Sequence, residues 1–206
     1  MKLKYNSPVI LTYALLCTVV LIFSLILGKD SSFQHLFVLH NQFDFGSLGD
    51  YFSLFSYILG HADWGHLIGN FSLILVVGPM LEEKYGSKSL LSMMLVTAIV
   101  SAIFNLVLMN SNVLGASGIV FMLILLSSFT GFQDGNIPMT FVLVFILYIG
   151  KEVVNSFEPD NVSQFGHIMG GICGGFFGFF SNKSYSKEPA NTENLEKVDK
   201  INNFGD

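Results

Sequence analysis

At 206 residues the chain suits one domain, and 51% of it is hydrophobic against 12% charged, with a mean hydropathy of +0.59. That balance belongs to a chain whose solvent is largely lipid, and it excludes an ordinary soluble globule. The formal charge of −5, with no arginine and no basic patch, offers nothing for nucleic acid to bind.

Residues 1–7 are polar, with Lys2 and Lys4. Residues 9–27 are mostly apolar and give about 28 Å of helix, enough to span a bilayer. A signal peptide is the rival reading, but the run is long for one and no small-x-small cleavage site follows Leu27. It reads as a retained span. Residues 28–50 mix Asp30, Asp44, Asp50, His35 and His40 with scattered phenylalanines, which suits a segment resting at the membrane interface. Residues 51–59 continue it as a short helix.

The second span, 65–81, has polar residues at its start: His61, Asp63, His66 and Asn70. Gly86 is a plausible cap after the Glu82-Glu83-Lys84-Tyr85 that closes it. Residues 90–109 form the third span. The fourth, 117–129, offers only about 20 Å of helix against a hydrocarbon core of roughly 30 Å. A span that short begins below one membrane face, and the irregular backbone before it is tolerable only where it lines a wet cavity or is buried in protein. Ser117 would then sit at the bottom of that cavity.

Residues 137–149 begin a fifth span with Pro138 in its first turn, and 162–180 form a sixth that carries His167. The Asn/Lys/Glu-rich remainder reads as disordered. The expected division is a six-span, all-α membrane domain over 1–181 and a polar tail over 182–206. Cys17 and Cys173 both lie inside apolar segments, so core packing is expected of them and not a disulfide.

Lysines set the orientation. A cytoplasmic N-terminus places Lys2, Lys4, Lys84, Lys88 and the tail's Lys183, Lys187, Lys197 and Lys200 inside, leaving only Lys29 and Lys151 outside. Both termini are then cytoplasmic. His61 and His66, Ser117 and His167, drawn from three spans, all fall toward the outer face. No basic, Ser-rich transit peptide precedes the first span, which favours a bacterial inner membrane.

Gly115-Ala116-Ser117-Gly118 places a hydroxyl at a helix start, where unpaired N–H groups stabilise negative charge. The bland alternative makes Ser117 a helix cap. His167 lies in a run with glycines at 166, 170, 174 and 178 and with Gly171 and Gly175 beside them. One helix face is thus almost bare, and another helix can approach it closely. If that partner is the fourth span, the imidazole reaches Ser117 Oγ and takes its proton. The alternative is a glycine zipper with an incidental histidine. Phe121, one turn after Ser117, either stacks on the imidazole or simply packs. His66 and Asn70, four apart, project from one helix face, and with the Ser117 N–H they would make an oxyanion hole. Capping or inter-helix hydrogen bonds are the alternative. His61 reads as a loop-holding hydrogen bonder, and His35 and His40 receive no role.

These pieces resemble the rhomboid family of intramembrane serine proteases: His61-Ala-Asp-Trp-Gly-His66-Leu-Ile-Gly-Asn70, Gly115-Ala-Ser117-Gly118, Gly166-His167-Ile-Met-Gly170-Gly171, and Gly78-Pro-Met-Leu-Glu82-Glu-Lys-Tyr-Gly86. The resemblance runs from about Tyr51 to Phe180. It implies a six-helix bundle with a short fourth helix, Ser117 as nucleophile, His167 as base and later acid, and His66 and Asn70 holding the oxyanion. Gly115, Gly118, Phe121, His61, Gly170 and Gly171 would support them. It implies no cofactor, and substrates that are single-span membrane proteins cut in or near their transmembrane helix. The oligomeric state does not follow from it. The family's first outer loop commonly carries a Trp-Arg pair that this chain lacks, and Phe121 stands where many members have tyrosine. A proteolytically inactive relative that binds membrane clients is the alternative, though neither Ser117 nor His167 is lost. A small-molecule transporter is a third, and the lack of an inverted repeat speaks against it. A zinc site built from His61, Asp63, His66 and His167 is not expected, because the spacing is not that of a metalloprotease helix and Asn70 is a poor ligand.

Overall fold

The computed structural model describes residues 5–28, 31–109, 111–129 and 164–185, with 139, 142–144 and 146–147 besides; within 164–185 it describes the side chains of 165–181. The elements are α1 (Pro8–Leu27), α2 (Ser32–His35), α3 (Leu48–Ser56) with a 3-10 turn at Tyr57–Leu59, α4 (Trp64–Tyr85), α5 (Ser87–Leu108), α6 (Ser117–Ser128) and α7 (Gln164–Tyr185). Among the described residues there is no strand, only an isolated antiparallel bridge between Leu39 and Val113.

Among the described residues three helices, α1, α4 and α5, are long and apolar enough to cross a membrane. Each has its outer surface studded with exposed apolar side chains, for example Ile26, Val76 and Val107. α6 has 12 residues and is nearly buried all round, from Ile119 to Leu126. α4 runs a turn beyond the expected end at Leu81, because Glu82 to Tyr85 stay helical until Gly86 adopts φ +80°. That left-handed value is cheap only for glycine, and it lets α5 start at the next residue. α7 likewise continues past Phe180 to Tyr185. The tail from 186 and most of the expected fifth span lie outside the described residues; those described within the latter are helical.

α1 is docked by a carboxylate. Pro8 opens the helix, and Ser7 makes no side-chain cap. Instead Glu82, 4% exposed at the end of α4, accepts hydrogen bonds from the N–H groups of Val9 and Ile10, each at 3.0 Å. The Ser87 hydroxyl donates to the same carboxylate at 2.7 Å. A buried charge is tolerable where donors surround it and a helix N-terminus faces it. Beside this clasp, a Cβ on Gly78 would fall 2.6 Å from Ile10 Cδ1, so the two helices meet where α4 lacks a side chain. Cys17 and Cys173 are both buried and unpaired with each other, as core residues.

The loop between α1 and α3 lacks a Trp-Arg pair and is held by other means. Leu39 and Val113 exchange backbone hydrogen bonds of 2.8 and 2.9 Å, and the Asn41 N–H donates to Asn112 Oδ1 at 2.9 Å. The loop is thereby tied to the segment that leads into α6. At its other end Asp50 is buried, which by itself would raise its carboxyl pKa. The Asp44 N–H, the Ser47 hydroxyl and His35 outweigh that and hold it below the ordinary value. His35 also stacks on His40 at 4.0 Å.

Candidate active site

α6 begins from a turn that only glycine can make. Gly115 has φ +126°, its N–H donates to the Tyr57 carbonyl at 3.0 Å, and a Cβ there would lie 2.8 Å from the His66 ring. Both backbone conformation and space exclude any larger residue. Ala116 takes the cap position with no side-chain cap, and Ser117 is the first helical residue. The cap position therefore falls to Ala116 and not to Ser117. The first N–H groups of α6 have no intrahelical partner, so positive potential surrounds Ser117. Ser117 itself is half-buried.

Opposite α6 runs the glycine face of α7. A Cβ on Gly118 would lie 3.2 Å from the Gly166 carbonyl oxygen, one on Gly170 2.0 Å from the Gly118 carbonyl oxygen, and one on Gly174 2.3 Å from that of Met122. Lower down, one on Gly178 would strike the Phe129 ring. Gly166, Gly170, Gly174 and Gly178 thus line the contact, and it is made with the expected helix. Gly171 is buried as well. Gly175, grouped with them by spacing, faces open space.

This approach brings His167 over Phe121, with ring centroids 4.6 Å apart and planes 5° from parallel. Phe121 lies one turn beyond Ser117, so the imidazole is held at the start of α6 on the serine's side. Here the phenylalanine is a platform for the ring and not general packing.

α4 supplies the other wall. Its cap Asp63 accepts from the His66 N–H at 2.8 Å and fixes the first turn. The Gly115 turn faces His66 Cε1 and Nε2, with Asn70 Nδ2 just beyond, 3.9 Å from a Cβ placed on that glycine. The Ala62 N–H lies 3.5 Å from His66 Nδ1, and Nε2 is a ring atom that faces the turn. His61 lies outside the helix and bonds the preceding turn through Leu59, as its sequence position suggested. It also meets Asn70, a contact that a spacing of nine residues does not signal.

A hydroxyl at a helix N-terminus, an imidazole stacked one turn away, and an imidazole N–H and a carboxamide across a bare turn are the groups that proton transfer and anion stabilisation need. A family model described as Rhomboid domain matches residues 48–184, more than half of the chain. No curated protein matches it.

Proposed function

The chain belongs to the rhomboid family, and from that premise we propose that it is an intramembrane serine protease that cleaves single-span membrane proteins in or near their transmembrane helix. His167 takes the proton of Ser117 Oγ as the oxygen attacks the scissile carbonyl, and later returns it to the leaving amine. His66 Nε2–H, the Asn70 amide and the N–H groups at the start of α6 receive the developing oxyanion. Water then hydrolyses the acyl-enzyme, with His167 again as base. No carboxylate is needed as a third member of a triad, since the Phe121 platform orients the imidazole.

The observation that carries this reading is the parallel stack of His167 on Phe121, one turn from an uncapped Ser117. The proposed architecture is a six-span bundle in a bacterial inner membrane, with the short α6 at its centre, the loops of the site toward the outer face and both termini inside. The test is to incubate detergent-purified protein with a generic single-span substrate. Wild type should cleave it, in the presence of a strong chelator as well, while Ser117→Ala and His167→Ala should be folded and inactive. Wild-type-like turnover in either variant would refute the assignment, and activity lost to chelation and restored by zinc would replace the serine mechanism with a metal one.

A further inference from the structure

Asn70 can serve an oxyanion only if its N–H groups, and not its carbonyl oxygen, face the Ser117 turn. A carboxamide can rotate by half a turn at little steric cost, so something must decide between the two orientations. The hydrogen bonds around His61 decide it.

His61 is 2% exposed. Its Nδ1 lies 3.2 Å from the Leu59 carbonyl oxygen, and its Nε2 lies 3.2 Å from Asn70 Nδ2. A carbonyl oxygen can only accept, so Nδ1 must carry the hydrogen. In a neutral imidazole Nε2 then holds a lone pair and can only accept. Asn70 must therefore present its NH2 group to His61, because the flipped amide would set oxygen against lone pair. The same nitrogen faces Gly115. One N–H is spent on His61, and the second is left for the turn. The ring cannot swing out of this arrangement, since it packs against His66 at 5.0 Å and Phe71 at 6.1 Å between centroids.

We infer that His61 is the positioning residue for Asn70: its Nδ1–H tautomer, set by the Leu59 carbonyl, fixes the carboxamide with nitrogen toward the site. The inference rests on the protease reading above for the role of Asn70. It does not make His61 a group that touches substrate. A cavity of about 140 Å³ borders the ring, lined also by Ser24, Gln34, Ala62 and Leu114. Truncating His61 would open this space to the amide, where water can satisfy the hydrogen bond without fixing its direction. Folding should then persist while catalysis suffers.

Two measurements on the full-length protein in detergent test this. In the kinetic arm, His61→Ala should lower kcat about 10- to 100-fold, in the range typical of lost outer-shell support and misplaced groups, with KM within about twofold. His61→Gln, whose carbonyl can accept from Asn70, should recover most of the loss. In an Asn70→Ala background His61→Ala should change kcat by less than about twofold, because its target is already gone. Equal fold-losses in both backgrounds, or an unchanged kcat in His61→Ala, would overturn the inference. The spectroscopic arm needs no turnover: 15N-histidine NMR of wild type should show His61 neutral with its proton on Nδ1. A proton on Nε2 would overturn the hydrogen-bond assignment whatever the kinetics show. Absence of any Ser117-dependent cleavage in wild type would instead refute the protease reading, leaving the tautomer to be judged by the spectrum alone.

Discussion

At the scale of single residues, the site depends on hydrogen-bond direction more than on residue type. His66 and Asn70 share a helix face by their spacing of four, but the donor atoms proposed for them follow from contacts with Ala62 and, through His61, with Leu59, neither of which carries a chemical signature of its own. Ser117 and His167 were legible in the sequence because a polar group beside a small-residue turn or on a glycine face is costly in a membrane. The second bond of His61 was not, since it depends on how a 3-10 turn at Tyr57–Leu59 folds back over α4. If Asn70 is an oxyanion donor, Asn70→Ala should lower kcat on the order of 10²-fold with little change in melting temperature. A lowered melting temperature with near-normal activity per folded molecule would make Asn70 structural. Both quantities can be measured on one preparation.

At the scale of elements, the contact that assembles the site is α6 against α7, and it is built from missing side chains. In lipid there is little hydrophobic drive between helices, so close backbone approach and its van der Waals contacts carry the association. Spacing alone made Gly170, Gly171, Gly174 and Gly175 look alike, and the structure separates them. Gly170→Ala would set a methyl 2.0 Å from the Gly118 carbonyl oxygen. It should destabilise by about 1–3 kcal/mol and, by shifting His167 off Phe121, lower activity further. Gly175→Ala, with nothing within 4 Å, should be neutral or stabilise by roughly 0.5–1 kcal/mol through helix propensity. Thermal melts and cleavage rates of the two variants check this, and equal effects would mean that the glycine face is not the contact. The Glu82 clasp was invisible for a related reason. A glutamate at the end of an apolar run reads as the solvated close of a span, and only the arrival of α1 turns it into that helix's cap.

At the scale of the whole molecule, hydropathy and turn residues indicated a membrane protein and, to within a few residues, the start of nearly every described helix. They are properties of segments and need no tertiary information. One end was less legible: α4 runs about one turn beyond its apolar stretch, because it stops where the backbone breaks at Gly86 and not where hydrophobicity does. How the loop between α1 and α3 is held was not legible at all, since the Leu39–Val113 bridge joins segments far apart in the chain. If six spans return the chain to its starting side, reporter fusions at Ser7 and Ser186 should both report the cytoplasm, and disagreement would mean a miscounted span. The central claim, however, is that packing α7 on α6 makes a nucleophile of one half-buried hydroxyl. The most direct test is covalent labelling of the detergent-purified protein with a fluorophosphonate, read by peptide mapping. The account predicts a single adduct on Ser117 that is lost in His167→Ala. Labelling of Ser117 that persists undiminished without the imidazole, or an adduct on another residue alone, would contradict it.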